Sequence, residues 1–268
     1  MRALRNSILI IFLIAMTFLS LLLSGCYIRK PTSPIPVKEI PAPQQAASHP
    51  LVIVLPGRGD DLKDLQSVGI AHAIQSGWPQ ADVLLAGATV GYYVYGSLAR
   101  RLHDEIIVPA RQRGYREIWL TGASMGGMGA LLYESRYPHD VAGIVLFAPY
   151  MGDKSLVERI TADGCTRNWN PGPAPATVNR KNYQTEIWRV VKTWASHPET
   201  AQNVWLAAGS RDRLLPASQL VAAALPSGHF IELPGGHDWK LWDVAATQIF
   251  ARISAQAAQH CAHNAEGC

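Results

Sequence analysis

Ile118-Trp119-Leu120-Thr121-Gly122-Ala123-Ser124-Met125-Gly126-Gly127 is the stretch that decides the fold. The run Ile118–Thr121 reads as a buried strand, and a helical pattern over 125–136 follows almost at once. Between them stands Gly122-Ala123-Ser124-Met125-Gly126, which is G-x-S-x-G at a strand-to-helix junction. A turn this tight needs small residues on both sides of Ser124, because the helix packs close against the strand. The turn lifts the Ser124 hydroxyl above the sheet edge. The N-terminus of the following helix favours negative charge developing beside it.

Outward from this turn the chain alternates. Apolar runs fall at 51–55, 83–86, 118–121, 144–147, 204–207 and 230–233. Continuous runs of that length suit strands covered on both faces of a parallel sheet. Helical patterns lie between them at 62–75, 97–113, 125–136, 216–224 and 240–257. Strand, helix, strand in order predicts right-handed crossovers and an α/β fold with a doubly wound, mostly parallel sheet. The interval from Pro149 to Asn203 breaks the rhythm and is too long for a plain loop. It predicts a cap insertion over about residues 150–202, between the fourth and fifth strands, with a helix carrying Trp188 and Trp194.

Sheets of this type place ligands beyond the carboxyl ends of their strands. A serine is a weak nucleophile unless a base takes its proton and an acid orients that base. After the fifth run comes Gly209-Ser210-Arg211-Asp212-Arg213, which makes Asp212 the candidate acid. A helix-capping or turn Asp, or one paired with Arg211 or Arg213, is the alternative. After the last run comes Pro234-Gly235-Gly236-His237-Asp238-Trp239, which makes His237 the candidate base. Among the other histidines His229 is the near competitor, with a strand-end surface role as its alternative. Two backbone N–H groups are needed for the oxyanion of a tetrahedral intermediate. Met125 is one candidate donor. Arg58, on the loop Pro56-Gly57-Arg58-Gly59-Asp60-Asp61, is the second, with Gly57 as the alternative. The Arg58 side chain is expected to pair with Asp60 or Asp61.

With these residues in view, the chain over roughly 50–255 resembles the α/β-hydrolase superfamily. Gly-Ala-Ser-Met-Gly-Gly and Pro-Gly-Gly-His-Asp-Trp resemble serine esterases of the carboxylesterase and esterase D type. The resemblance implies an α/β-hydrolase fold and hydrolysis of small or medium acyl esters through an acyl-serine, with no metal or organic cofactor. The oxyanion loop departs from the commoner His-Gly pattern by carrying Pro-Gly-Arg-Gly. The same three side chains also suit a lipase, thioesterase, peptidase or acyltransferase, and a non-catalytic envelope module is the reading from another class. Tyr92, Tyr93, Trp169 and Trp239 are candidate substrate-binding aromatics, with ordinary packing as the alternative for each.

The chain has 268 residues, 48% hydrophobic and 16% charged, which excludes a disordered polymer. Residues 1–25 hold Arg2 and Arg5 and no acid, leaving 22 bases against 20 acids in the remainder. That balance gives no electrostatic footprint for nucleic acid. Oligomeric state is not legible.

The N-terminus joins Arg2 and Arg5 to an apolar run from Ile8 to Leu23, short for a spanning helix and suited to a signal peptide over 1–25. Leu23-Ser24-Gly25-Cys26 resembles the bacterial lipobox. The resemblance implies cleavage before Cys26, acylation there, and a partner membrane reached through the lipid. Tyr27 in place of Asp favours the outer membrane, facing the periplasm, in a Gram-negative cell. Six prolines between 31 and 50 predict that residues 26–50 are a semi-rigid tether. Residues 51–257 form the hydrolase domain, and 258–268 a tail with Cys261 and Cys268. Cys165, Cys261 and Cys268 leave one disulfide and one free thiol as the simple count, in any of three pairings. His260, Cys261, His263 and Cys268 match no metal motif, so no metal site is assigned.

Overall fold

In the computed structural model, residues 30–44 and 49–266 are described, with side chains to residue 259. The chain divides after Lys30, and the unit that begins at Pro31 carries every element of the fold. Cys26, the signal segment and Cys268 lie outside the described residues.

The elements run β1 (Val37–Ile40), β2 (Leu51–Leu55), α1 (Leu62–Ser67), α2 (Ile70–Gly77), β3 (Asp82–Ala86) and α3 (Val90–Val94). Next is a rod made of α4 (Leu98–Leu102), a π-helical turn (His103–Ile107) and α5 (Val108–Gln112). Then come β4 (Ile118–Ala123), α6 (Met125–Arg136), β5 (Gly143–Phe147), α7 (Lys154–Ala162) and α8 (Tyr183–Ser196). A 3₁₀ turn (Pro198–Ala201), β6 (Val204–Gly209), α9 (Leu215–Ala222), β7 (Phe230–Leu233) and α10 (Trp239–Glu266) complete it.

One seven-stranded sheet has the order β1-β3-β2-β4-β5-β6-β7. All neighbours are parallel except β1, which runs antiparallel to β3. Strand side chains alternate between faces, and the core follows that period. Leu51, Ile53 and Leu55 of β2 face one apolar layer with α6 and α8. Val52 and Val54 face the other, with α2 and α10. The continuous apolar runs are thus explained by helices on both faces of the sheet.

Three expectations are corrected. The N-terminal segment is not a free tether. Val37–Ile40 pairs with β3, Ile35 is buried, and its N–H donates to Glu105 Oε2 at 2.7 Å. Edge pairing and one buried isoleucine outweigh the stiffness of the flanking prolines. The last helix does not stop at 257 but continues to Glu266. The long interval is also more deeply integrated than a cap lying over the surface. Its helix α8 packs on α6, with Trp188 and Trp194 in the sheet core. Trp188 Nε1 donates to Met151 O at 2.7 Å. Cys165 is a thiol with no disulfide partner among the described residues.

Candidate active site

Ser124 stands between β4 and α6 at φ 52° and ψ −110°. For a residue with a side chain this backbone is costly, about 1–3 kcal/mol. It is held by three backbone bonds: Ser124 N to Phe147 O, Met128 N to Ser124 O, and Tyr150 N to Ser124 O. The motif glycines have steric reasons. A Cβ on Gly122 would strike the backbone of Gly126, and one on Gly126 would strike the carbonyls of Leu55 and Pro56. The elbow therefore lies directly on the end of β2, where the Gly57-Arg58 loop begins.

Two further loops are joined at this edge. After β6, Ser210 N donates to Leu233 O and Arg211 N to Gly235 O, both at 2.8 Å. These bonds zip the Asp212 loop to the His237 loop. Asp212 is 5% exposed, and its Oδ1 accepts from Leu214 N at 2.8 Å. Its Oδ2 lies 2.7 Å from His237 Nδ1. A carboxylate only accepts, so Nδ1 carries the proton of that bond and Nε2 is the ring nitrogen left as a base. The His237 ring meets the edge of Trp242 at 4.8 Å and 90°. Ser124 Oγ makes no hydrogen bond among the described residues.

A third tie crosses the site. Trp239 Nε1, beside the histidine, donates to Asp60 Oδ2 at 3.0 Å. Asp60 thereby joins the loop of Arg58 to the loop of His237. Among the described residues, neither the Arg58 N–H nor the Met125 N–H has a hydrogen-bond partner. The Gly57 N–H is equally unpartnered, so satisfaction of donors does not separate Arg58 from Gly57.

Several expectations about side chains are overturned at this edge. Arg58 makes no ion pair with Asp60 or Asp61. Asp60 is held by the indole, and Asp61 caps α1 by accepting from the Lys63 and Asp64 amides. Those amides hold the Asp61 carboxyl below its usual range. Neither Arg211 nor Arg213 pairs with Asp212. His229 is structural: its Nδ1 lies 3.0 Å from Val204 O and its ring stacks on Trp205 at 3.9 Å. Burial holds its imidazole below the ordinary value.

Of the four aromatic candidates, two are committed elsewhere. Tyr92 is buried, and its hydroxyl donates to Thr32 O at 2.9 Å, fastening the N-terminal arm. Trp169 is packed in the core. Tyr93 has its hydroxyl buried against Gly129, with no hydrogen-bond partner among the described residues. Trp239 remains at the site. Its tie to Asp60 was not legible in the sequence, because 179 residues separate the two.

Likeness to known proteins agrees with this geometry. The family model "Putative esterase" matches residues 100–253, more than half of the chain. This chain belongs to that esterase family. The esterase's fold is shared with solved structures at low identity. FphF, a fluorophosphonate-binding serine hydrolase of Staphylococcus aureus, superposes with TM-score 0.58 at 13% identity, covering 84% of this chain and 95% of its own. Est1E from Butyrivibrio proteoclasticus gives 0.57 at 12%, covering 84% and 96%. MPT51 of Mycobacterium tuberculosis gives 0.57 at 17%, covering 84% and 96%. No curated protein matches the sequence. The esterase is a carboxylic ester hydrolase with an α/β-hydrolase fold.

Proposed function

We propose that the esterase cleaves small to medium acyl esters through an acyl-serine on Ser124, while anchored to a bacterial cell envelope by lipid on Cys26. The observation that carries the catalytic part is the 2.7 Å bond between His237 Nδ1 and the buried Asp212. It fixes a basic Nε2 on a loop tied, through Trp239 and Asp60, to the loop beside the elbow.

In this reading Ser124 Oγ attacks the ester carbonyl and His237 Nε2 takes its proton. Asp212 holds the imidazole and stabilises its charged form. The Met125 and Arg58 amides donate to the oxyanion at the start of α6. The tetrahedral adduct collapses, the C–O bond to the alcohol breaks, and His237 returns the proton to the leaving alkoxide. Water, deprotonated by His237, then attacks the acyl-serine and releases the acid and the free serine. The bond from Ser124 Oγ to His237 Nε2 is the link still to be made. Links of this kind tighten in the reactive complex. The balance closes with water alone and needs no metal or organic cofactor.

The test is covalent labelling with a fluorophosphonate probe and hydrolysis of a graded acyl-ester series. The wild type is expected to label stoichiometrically and Ser124→Ala not at all. Asp212→Asn is expected to keep its fold and lose about 10⁴ in kcat, because the imidazole is held in the wrong tautomer. Labelling that persists in Ser124→Ala would place the nucleophile elsewhere.

A further inference from the structure

A groove separate from the Ser124 edge runs along the second half of α6. Leu132 and Arg136 lie eight and twelve residues beyond Ser124, about 12–18 Å along the helix at 1.5 Å per residue. The groove has about 630 Å³ of open space, its mouth included. Tyr93, Leu132 and Val178 are among the residues that line it, and so are three arginines, Arg100, Arg136 and Arg180. No Asp or Glu lines it.

The cations are not consumed by the protein. Arg100 makes one exposed pair with Asp104 at 3.3 Å. Arg136 donates from Nε to Tyr137 Oη at 3.3 Å and lies 5.6 Å over the Tyr137 ring, and its terminal nitrogens make no hydrogen bond among the described residues. Arg180 makes no ion pair among the described residues. Apolar surface is left uncovered at the same place. Val178, one of the lining residues, is 38% exposed. Exposed apolar surface gathered beside a groove marks a binding surface rather than ordinary scatter. An Arg fork matches a carboxylate or phosphate in a bidentate way.

We propose that this groove binds an anionic amphiphile: a hydrocarbon chain on the Tyr93–Leu132–Val178 wall with its carboxylate or phosphate among Arg100, Arg136 and Arg180. A neutral chain would leave the guanidinium groups idle, and a cationic one would be repelled. The occupant is a single molecule rather than a bilayer surface, because the apolar wall is a recess and not a plane. The site does not use the chemistry proposed for Ser124, and Ser124→Ala is expected to bind as the parent does.

The test is calorimetric binding of monomeric decanoate to the full chain carrying Cys26→Ser, which removes the acylation site. Arg100→Gln/Arg180→Gln in the same background changes only exposed side chains and is expected to weaken binding at least tenfold with an unchanged melting temperature. Decyltrimethylammonium is expected not to bind. The proposal is overturned if decanoate does not bind, if the double variant binds it as well as the parent, or if the cationic amphiphile binds equally. Binding to anionic vesicles without binding of monomeric decanoate also overturns it, in favour of a surface contact.

Discussion

Gly126 is the residue on which the elbow turns. A methyl there meets the Leu55 and Pro56 carbonyls, and backbone cannot rotate aside as a long side chain can. Gly126→Ala is expected to cost about 1–3 kcal/mol, the usual penalty for overpacking. It should also lower kcat on any ester, because Pro56 leads straight into the Gly57-Arg58 loop. Thermal melts and steady-state rates on the same preparation check both. Asp243 gives a second residue-scale prediction, this time in pH. Its Oδ1 is buried without a hydrogen-bond partner among the described residues, and burial raises its carboxyl from 3.8 to about 6. The unfolded chain therefore gives up this proton first, so unfolding releases a proton between about pH 4 and 6 and stability from this group falls as pH rises through that window. Asp243→Asn stays neutral throughout. It is expected to melt higher than the parent above about pH 6 and to match it below about pH 4, with paired melts at pH 4 and 7.5 as the check.

At the scale of elements, six of the strands were legible because each is a mostly apolar run, covered on both faces except in the edge strand β7, where Glu232 is exposed. The runs at 51–55 and 230–233 coincide with β2 and β7, and the others differ only at their ends. β1 was not legible. It has four residues, two of them Lys38 and Glu39, and prolines on either side. Nothing in its pattern reports the partner strand β3. The expected helix over 62–75 is two, because Gly69 at φ 82° interrupts it. The π-helical turn at His103–Ile107 precedes Pro109, which lacks the N–H that a regular turn would use. Loop order singled out Asp212 and His237 as candidates, and the structure brings their side chains to 2.7 Å at the strand ends. The aromatics were a weaker guide, because an aromatic's place in the chain does not say whether its ring faces a core, as with Trp169, or a site, as with Trp239. The arm makes its own prediction. Ile35 is 2% exposed, and Ile35→Ala is expected to cost about 2–4 kcal/mol. A free tether would lose nothing, so a chemical denaturation midpoint separates the two.

At the scale of the whole molecule, the arm bears on the anchoring proposed through Cys26. The packed unit begins at Pro31, so residues 27–30 alone lie between it and Cys26. Cys26→Ser is expected to move the esterase from the membrane to the soluble fraction while leaving its rate on a soluble ester unchanged. Fractionation and a rate per labelled serine check this. Loss of activity on release would mean that the membrane contributes to the site.

Strand β1 has one more effect, on how molecules meet one another. Without it β3 would end the sheet, offering a row of open amides and carbonyls beneath apolar side chains. Such a border invites a second chain to add itself and begin aggregation. The strand that covers it is short, charged at its centre and bracketed by Pro36 and Pro41, and proline cannot donate to a new neighbour. The N-terminal arm thus serves as a selvedge, keeping one copy of the chain from knitting into the next.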